Sequence, residues 1–288
     1  MSLSEHPRDP ALNGLPAVIA APEQLSAEDG AALARAVDQL EHKSFAVRLA
    51  NVFGNEIERF GKMLPHNVTN VVDRAVEGAV RAAFAATLGT LRAQGQSDQR
   101  GFHKAVVTLS GTLGGAFGIA TLPVELPFST MVMLRSIAAI ARASGEDLSQ
   151  PEAALACLQV FALGASKENQ LALESSYFSV RSVLAKSVSE AARFMINRGI
   201  ADEGAPVIAR LIGQIAARFG IVVSDKLAAQ AVPLIGAAGG GAINFAFIDH
   251  FQSIAQGHFT VRRLERTYGQ TLVRAEYDRL LAQKNAKN

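Results

Sequence analysis

The chain has no tryptophan, three tyrosines (Tyr177, Tyr268 and Tyr277) and one cysteine in 288 residues. Each shortage excludes something. Aromatic belts of the kind that frame an integral membrane protein cannot be built from so few Trp and Tyr, so shallow or peripheral membrane contact fits better than full integration. A lone cysteine permits no intramolecular disulfide. Cys157 lies in the apolar run Ala153 to Leu163 and reads as a small core residue in a reducing compartment. A net charge of +2 is too small to point to nucleic acid. The opening Met1-Ser-Leu-Ser-Glu-His-Pro-Arg lacks the basic start and apolar run of a signal peptide, and a cytoplasmic location is expected. Enzyme signatures are absent as well: no Gly-x-Ser-x-Gly elbow, no Walker lysine loop, no His-Glu-x-x-His and no Cys-x-x-Cys. Gly239-Gly-Gly241 lacks the third glycine of a dinucleotide fingerprint and sits in a helical context, so no cofactor is expected.

What the chain does have is apolar surface. Hydrophobic residues make up 49% and the mean hydropathy is +0.18, above an ordinary soluble enzyme. Two stretches concentrate it. From Ala105 to Leu134 the only charge is Glu125, and Gly111, Gly114, Gly115 and Gly118 recur three and four apart, which on a helix forms one smooth face. Each glycine costs a helix about 1 kcal/mol relative to alanine, so a closely packed partner is implied. The second stretch, between Lys226 and Asp249, carries no charge and has Gly236 and Gly240 four apart. The two glycine faces are expected to pack on each other as the inner pair of a bundle.

Apolar residues recur at helical spacing along most of the chain, which predicts an all-α fold: a single multi-helix bundle with these two apolar helices at its centre. Pro7, Pro10, Pro16 and Pro22 mark residues 1–25 as a flexible arm, and residues 26–288 read as one helical domain. Ser26 looks like a helix cap, followed by helices over about 27–43 and 44–63, and a long apolar stripe predicts another over about 68–91. Pro123 and Pro127 are expected to break the chain into a hairpin over 105–143 with Glu125 at its tip and a return helix from about 128. Gly145, Gly164, Gly199 and Gly220 read as stops, Pro151 as a start, Ile221-Val-Val as a brief extended piece and Ser224 as the cap of the second glycine-faced helix. That helix is expected to reach about 267, and a last one to cover about 271–284.

The polar residues left in apolar surroundings are Glu125, Arg135, Asn244, Asp249, His250 and His258. The two histidines are eight apart, about 12 Å along a helix, which is too far to share one metal, and no metal site is expected. Glu125 reads as an exposed tip, a partner of Arg135 or a buried acid; Asn244 and Asp249 read as polar links between helices. Arg262, Arg263 and Arg266 belong to a C-terminal region, 251–288, with seven basic and three acidic residues, and are candidates for attraction to an anionic membrane surface.

The segments Gly114-Gly-Ala-Phe-Gly-Ile-Ala-Thr-Leu-Pro-Val-Glu-Leu-Pro, Met133-Leu-Arg-Ser-Ile-Ala, Val232-Pro-Leu-Ile-Gly-Ala-Ala-Gly-Gly-Gly-Ala-Ile-Asn-Phe-Ala-Phe and His258-Phe-Thr-Val-Arg-Arg-Leu-Glu resemble the EcsC family over about residues 40–270. That family takes its name from a protein encoded beside a bacterial ABC transporter. The resemblance implies a bacterial, largely helical protein linked to the membrane and brings no catalytic residues with it. The expectation is therefore a peripherally membrane-associated protein that binds lipid or a membrane-protein partner, such as a transporter component, with the hairpin as interaction element. The cost of burying Arg135 and Arg142 in hydrocarbon favours a packed hairpin over an inserted one. The alternative is a hydrolase on a lipid-like substrate, which requires Glu125, Asp249 and His250 or His258 to converge. A pore rests on the glycine faces alone.

Overall fold

The computed structural model describes residues 24–41, 45–53, 66–93, 122–165, 177–198, 205–230 and 233–287. Among them the chain is all-α, with helices α1 (Ala27–Leu40), α2 (Phe45–Phe53), α3 (His66–Ala93), α4 (Leu122–Ala143), α5 (Pro151–Leu163), α6 (Tyr177–Arg198), α7 (Pro206–Gln230), α8 (Pro233–Tyr268) and α9 (Gln270–Lys287). The expected arm over 1–23 and the first glycine face, Gly111 to Gly118, lie outside the described residues. So does the packing of one glycine face on the other.

Local chemistry explains most of the boundaries. Ser26 caps α1 by accepting the Asp29 N–H at 3.1 Å, and Glu28 and Asp29 place negative charge at the positive end of the helix. At the end of α4, Gly145 takes a φ of +79°, which no side-chain-bearing residue adopts cheaply. Its N–H reaches the Arg142 carbonyl and the Glu146 N–H the Ala141 carbonyl, the paired bonds of a Schellman stop. Pro151 opens α5, where its missing N–H would have had no partner. Gly269, at φ +85°, separates α8 from α9.

Two expected breaks differ from the structure. Pro127 lies inside α4, which starts at Leu122, while a helix end ahead of Pro123 lies outside the described residues. Pro123 occupies the first turn, where no N–H has an intrahelical acceptor, and only Pro127 removes a bond. Burial of Leu122, Leu126, Ser129 and Thr130 holds the turn together despite that loss. Gly220 is likewise no stop, and Ile221-Val-Val is not extended. α7 runs through both, because Phe219, Val222 and Val223 are fully buried and their packing outweighs the roughly 1 kcal/mol that glycine costs in a helix. Ser224 is accordingly in a helix interior, and the next start is Pro233.

The core is organised around α8, which packs on α1, α2, α4, α5, α7 and α9. Ile243, Phe247, Phe251, Ile254, Phe259 and Leu264 of α8 are fully buried. Phenylalanines do the work that Trp might have done: Phe161, Phe219, Phe251 and Phe247 form a chain of rings with centroids 5.0, 5.4 and 5.3 Å apart in that order. α5 is buried on every side from Ala153 to Leu163, and burial pushes the Cys157 thiol up to about 12, so it is an inert core group. Among the described residues, close helix approach occurs at Gly257. A Cβ on Gly257 would stand 2.7 Å from Leu40 Cγ and 3.2 Å from the Ala36 carbonyl, which is how α1 lies tight against α8.

Candidate functional site

The first apolar stretch holds one ionic residue, Glu125, and the second is bounded at its start by Lys226; the fold brings these two together. Lys226, near the end of α7, is 3% exposed at its side chain. Its ammonium donates to Glu125 Oε1 at 3.1 Å and to Asn244 Oδ1 at 3.1 Å, and stands 4.7 Å from the centre of the Phe247 ring. Glu125 is thus neither an exposed tip nor the partner of Arg135; it lies in the first turn of α4, 29% exposed, where the helix dipole favours a carboxylate. Arg135 stands exposed farther along the same helix. Burying an ammonium is costly unless it is paired and hydrogen-bonded, and here a carboxylate, an amide and an aromatic face supply that compensation.

Around this polar centre the surface is apolar. Val124 and Phe245, the sequence neighbours of the two residues whose oxygens accept from Lys226, are 61% and 73% exposed. The ion pair is thus flanked in sequence by an exposed Val and an exposed Phe.

The remaining expected residues go elsewhere. Asp249 accepts from Arg48 Nη2 at 2.9 Å and ties α8 to α2. His250 is fully buried, with Nε2 2.8 Å from the Gly164 carbonyl and Nδ1 3.4 Å from Arg48 Nη1, which sets Nε2 as the protonated nitrogen. Gly164 is needed there, since a Cβ would come within 2.5 Å of the Phe251 ring. His258 is also fully buried, 2.9 Å from the Tyr177 hydroxyl through Nδ1. That hydroxyl accepts from Arg181 Nη1 at 3.2 Å, so its own hydrogen goes to Nδ1 and the neutral ring carries its proton on Nε2, which has no partner among the described residues. Burial, with the Arg181 and Arg262 charges adding to it, holds the His258 pKa well below the usual histidine range. Asp249 and His250 thus share Arg48, while Glu125 pairs with Lys226 and His258 with Tyr177, so no hydrogen bond among the described residues joins the four as a hydrolase would require. No group of His, Cys, Asp or Glu able to hold a metal occurs among the described residues.

The three arginines expected at a membrane surface are engaged within the protein. Arg262 makes a bidentate pair with Glu146 at 2.9 and 2.9 Å, Arg266 joins the same carboxylate, and Arg263 reaches Asp29 at 2.8 Å. The Glu146 side chain is only 4% exposed. Burial works to raise its pKa, but the hydrogen bonds and charges of Arg262 and Arg266 overcome that and hold it low. Arg181 pairs with Glu265 in the same region, at 2.8 and 2.7 Å.

Lys226 is the functional-site residue that sequence reasoning overlooked. A signal for it existed: Glu125 is the only charge from Ala105 to Leu134, Lys226 closes a run of 22 uncharged residues, and their signs are opposite. Comparison with known proteins gives one match. The model of the EcsC protein family matches residues 31–264. No curated protein and no solved structure matches the chain.

Proposed function

The chain belongs to the EcsC family, and from that premise we propose that it is a membrane-associated helical protein that docks on lipid through the surface around Lys226, in an accessory role beside a membrane protein such as a transporter component. The observation that carries the reading is the occurrence of exposed Val124 and Phe245 next in sequence to Glu125 and Asn244, which neutralise and satisfy the buried Lys226 ammonium. Transferring those two side chains from water is worth up to about 4 kcal/mol together. Alone that corresponds to only about millimolar binding, so docking draws on the adjoining uncharged stretches too.

Two described helices, α4 and α7, are long and apolar enough to cross a bilayer, and each has 39% of its apolar window buried in the bundle. Length and composition suit core helices as well as spans. Exposed Arg135 within α4 favours docking over insertion.

Vesicle flotation tests the reading. Wild-type protein is expected to rise with anionic phospholipid vesicles and to resist release by high salt, because the contact is apolar. The Val124→Glu/Phe245→Glu double variant is expected to stay at the bottom of the gradient with its helical signal intact. Wild type that remains wholly soluble at low salt would refute the proposal.

A further inference from the structure

Beside the docking surface, on the other flank of the α4 start, an open groove of about 340 Å³ runs between α4 and the first half of α3. Its described walls are Val71, Ala75 and Gly78 from α3, Pro123 and Pro127 from α4, and Arg74. Pro123 and Pro127 are four apart and so share one helix face, while Glu125, two residues from each, falls on the opposite side toward Lys226. The prolines give rigid walls without N–H groups, and Gly78 leaves the floor open: a Cβ placed on it would meet nothing within 4 Å. Among the described walls Arg74 is the only charge. It is exposed and has no acidic partner among the described residues, since the neighbouring Glu77 is held by Arg81 at 2.7 and 3.1 Å.

We infer that this groove holds one acyl chain of an anionic membrane phospholipid, with the Arg74 guanidinium on the lipid phosphate. The volume lies at the lower end of the range for small-ligand sites, which suits one chain rather than two. An unpaired guanidinium at the mouth of an otherwise apolar channel complements an amphiphile with a negative head, and its planar fork matches a phosphate in two-point contact. Val71 at the groove and Val124, next to Pro123 in the first turn of α4, are both exposed, so the groove's α4 edge adjoins one of the two residues proposed to meet the bilayer. The inference rests on that reading and deepens it from a surface to a lipid site.

Monomeric dihexanoyl phosphatidylglycerol, kept below its micelle concentration, probes the groove without any membrane. Titration calorimetry on the full chain is expected to show binding that Arg74→Gln weakens about tenfold, the usual scale for a hydrogen bond to a charged group. The same variant is expected to erase any preference over dihexanoyl phosphatidylcholine, whose phosphate is shielded by its own cation. Gly78→Leu fills the channel and is expected to abolish binding, with an unchanged or raised melting temperature because glycine in an exposed helix is unfavourable. Glycerol 3-phosphate, the head without the chain, is expected not to bind. Binding of the lipid that survives Gly78→Leu, or equal binding of glycerol 3-phosphate, overturns the assignment. So does a wild type that ignores the probe while Gly78→Leu lowers its melting temperature, since the groove is then filled by the chain's own segment 94–121. Flotation separates the two proposals: vesicle binding without probe binding removes the groove alone, and probe binding without vesicle binding removes the docking surface alone.

Discussion

The two ends of α8 handle charge in opposite ways. Toward its start, one buried ammonium is satisfied by a single carboxylate, one amide oxygen and one ring, within a run of sequence that has no other charge. Toward its end, Arg262 and Arg266 share Glu146, Arg263 and Tyr268 share Asp29, and Arg181 pairs with Glu265 and the Tyr177 hydroxyl, so the ions are linked in small networks. Basic residues at a helix C-terminus are favourable in themselves, and here they also stitch α8 to α1, α6 and the turn after α4. The three arginines Arg262, Arg263 and Arg266 therefore form an internal brace, and the docking surface proposed above lies at the apolar end. Charge counted along a sequence says little about charge presented to solvent.

The largest expected effect breaks this contrast directly. Glu125→Ala leaves the Lys226 ammonium buried with Asn244 and a ring as its only support, and the loss of one partner from a buried pair costs about 3–5 kcal/mol. Replacing both, as Glu125→Leu/Lys226→Met, removes the stranded charge and is expected to recover most of that loss. At the other end, Arg266→Ala takes away a 43% exposed partner from a carboxylate that keeps Arg262, and is expected to cost within about 1 kcal/mol. Urea denaturation of the four proteins checks the order. Equal losses for Glu125→Ala and Arg266→Ala would show that the two ends are not different in kind.

A smaller effect sharpens the charged end. His258 has a folded-state pKa far below its unfolded value, so below about pH 6.5 the unfolded chain binds a proton that the native protein refuses. Its contribution to stability is full above that pH and falls as the pH drops through it, by at most about 1.4 kcal/mol per pH unit. Glu41 acts in the other direction. Burial raises its carboxyl, against the hydrogen bonds from the Tyr177 N–H and the Tyr277 hydroxyl, so its stabilisation is present below its unfolded pKa and lost as the pH rises through the folded one. Glu146 and Asp29, both held low, lose theirs only at more acidic pH. Between pH 7 and 5.5, wild type is expected to lose about 1 kcal/mol more than His258→Phe. The variant leaves the Tyr177 hydroxyl without its acceptor, but that penalty is the same at both pH values and drops out of the difference. Parallel pH profiles for the two proteins would remove His258 as the source.

The helices were legible in the sequence because their signals are local. The stripe from Val68 to Val80, the Ser26 cap, the Gly145 stop and the Pro151 start each depend on residues within a turn or two. Gly220 and Pro127 were misread for the complementary reason. Each lies where buried neighbours, Phe219, Val222 and Val223 or Leu126, Ser129 and Thr130, hold the helix through it, and that packing comes from elsewhere in the chain. The polar partners were hidden by distance. Arg48 and Asp249 are 201 residues apart, Tyr177 and His258 81, and Glu146 and Arg262 116. Residue type said that Asn244 and Asp249 would be satisfied and could not say by what. Family membership was readable because it lies in runs of contiguous residues.

The smallest expected effect isolates position from exposure. Val183 and Ile196 are 70% and 67% exposed on α6, close to the values for Phe245 and Val124, yet α6 carries no member of the Lys226 cluster. If any exposed apolar side chain promoted membrane contact, Val183→Glu/Ile196→Glu would cut vesicle flotation as deeply as Val124→Glu/Phe245→Glu. If the end of the bundle decides, the α6 pair floats like wild type. Both double variants are expected to stay within about 0.5 kcal/mol of wild type at each substituted site, since surface changes away from caps and cores cost little. A difference in flotation between two equally stable proteins then reports the surface, and a flotation loss shared by both would mean that hydrophobicity anywhere on the bundle suffices.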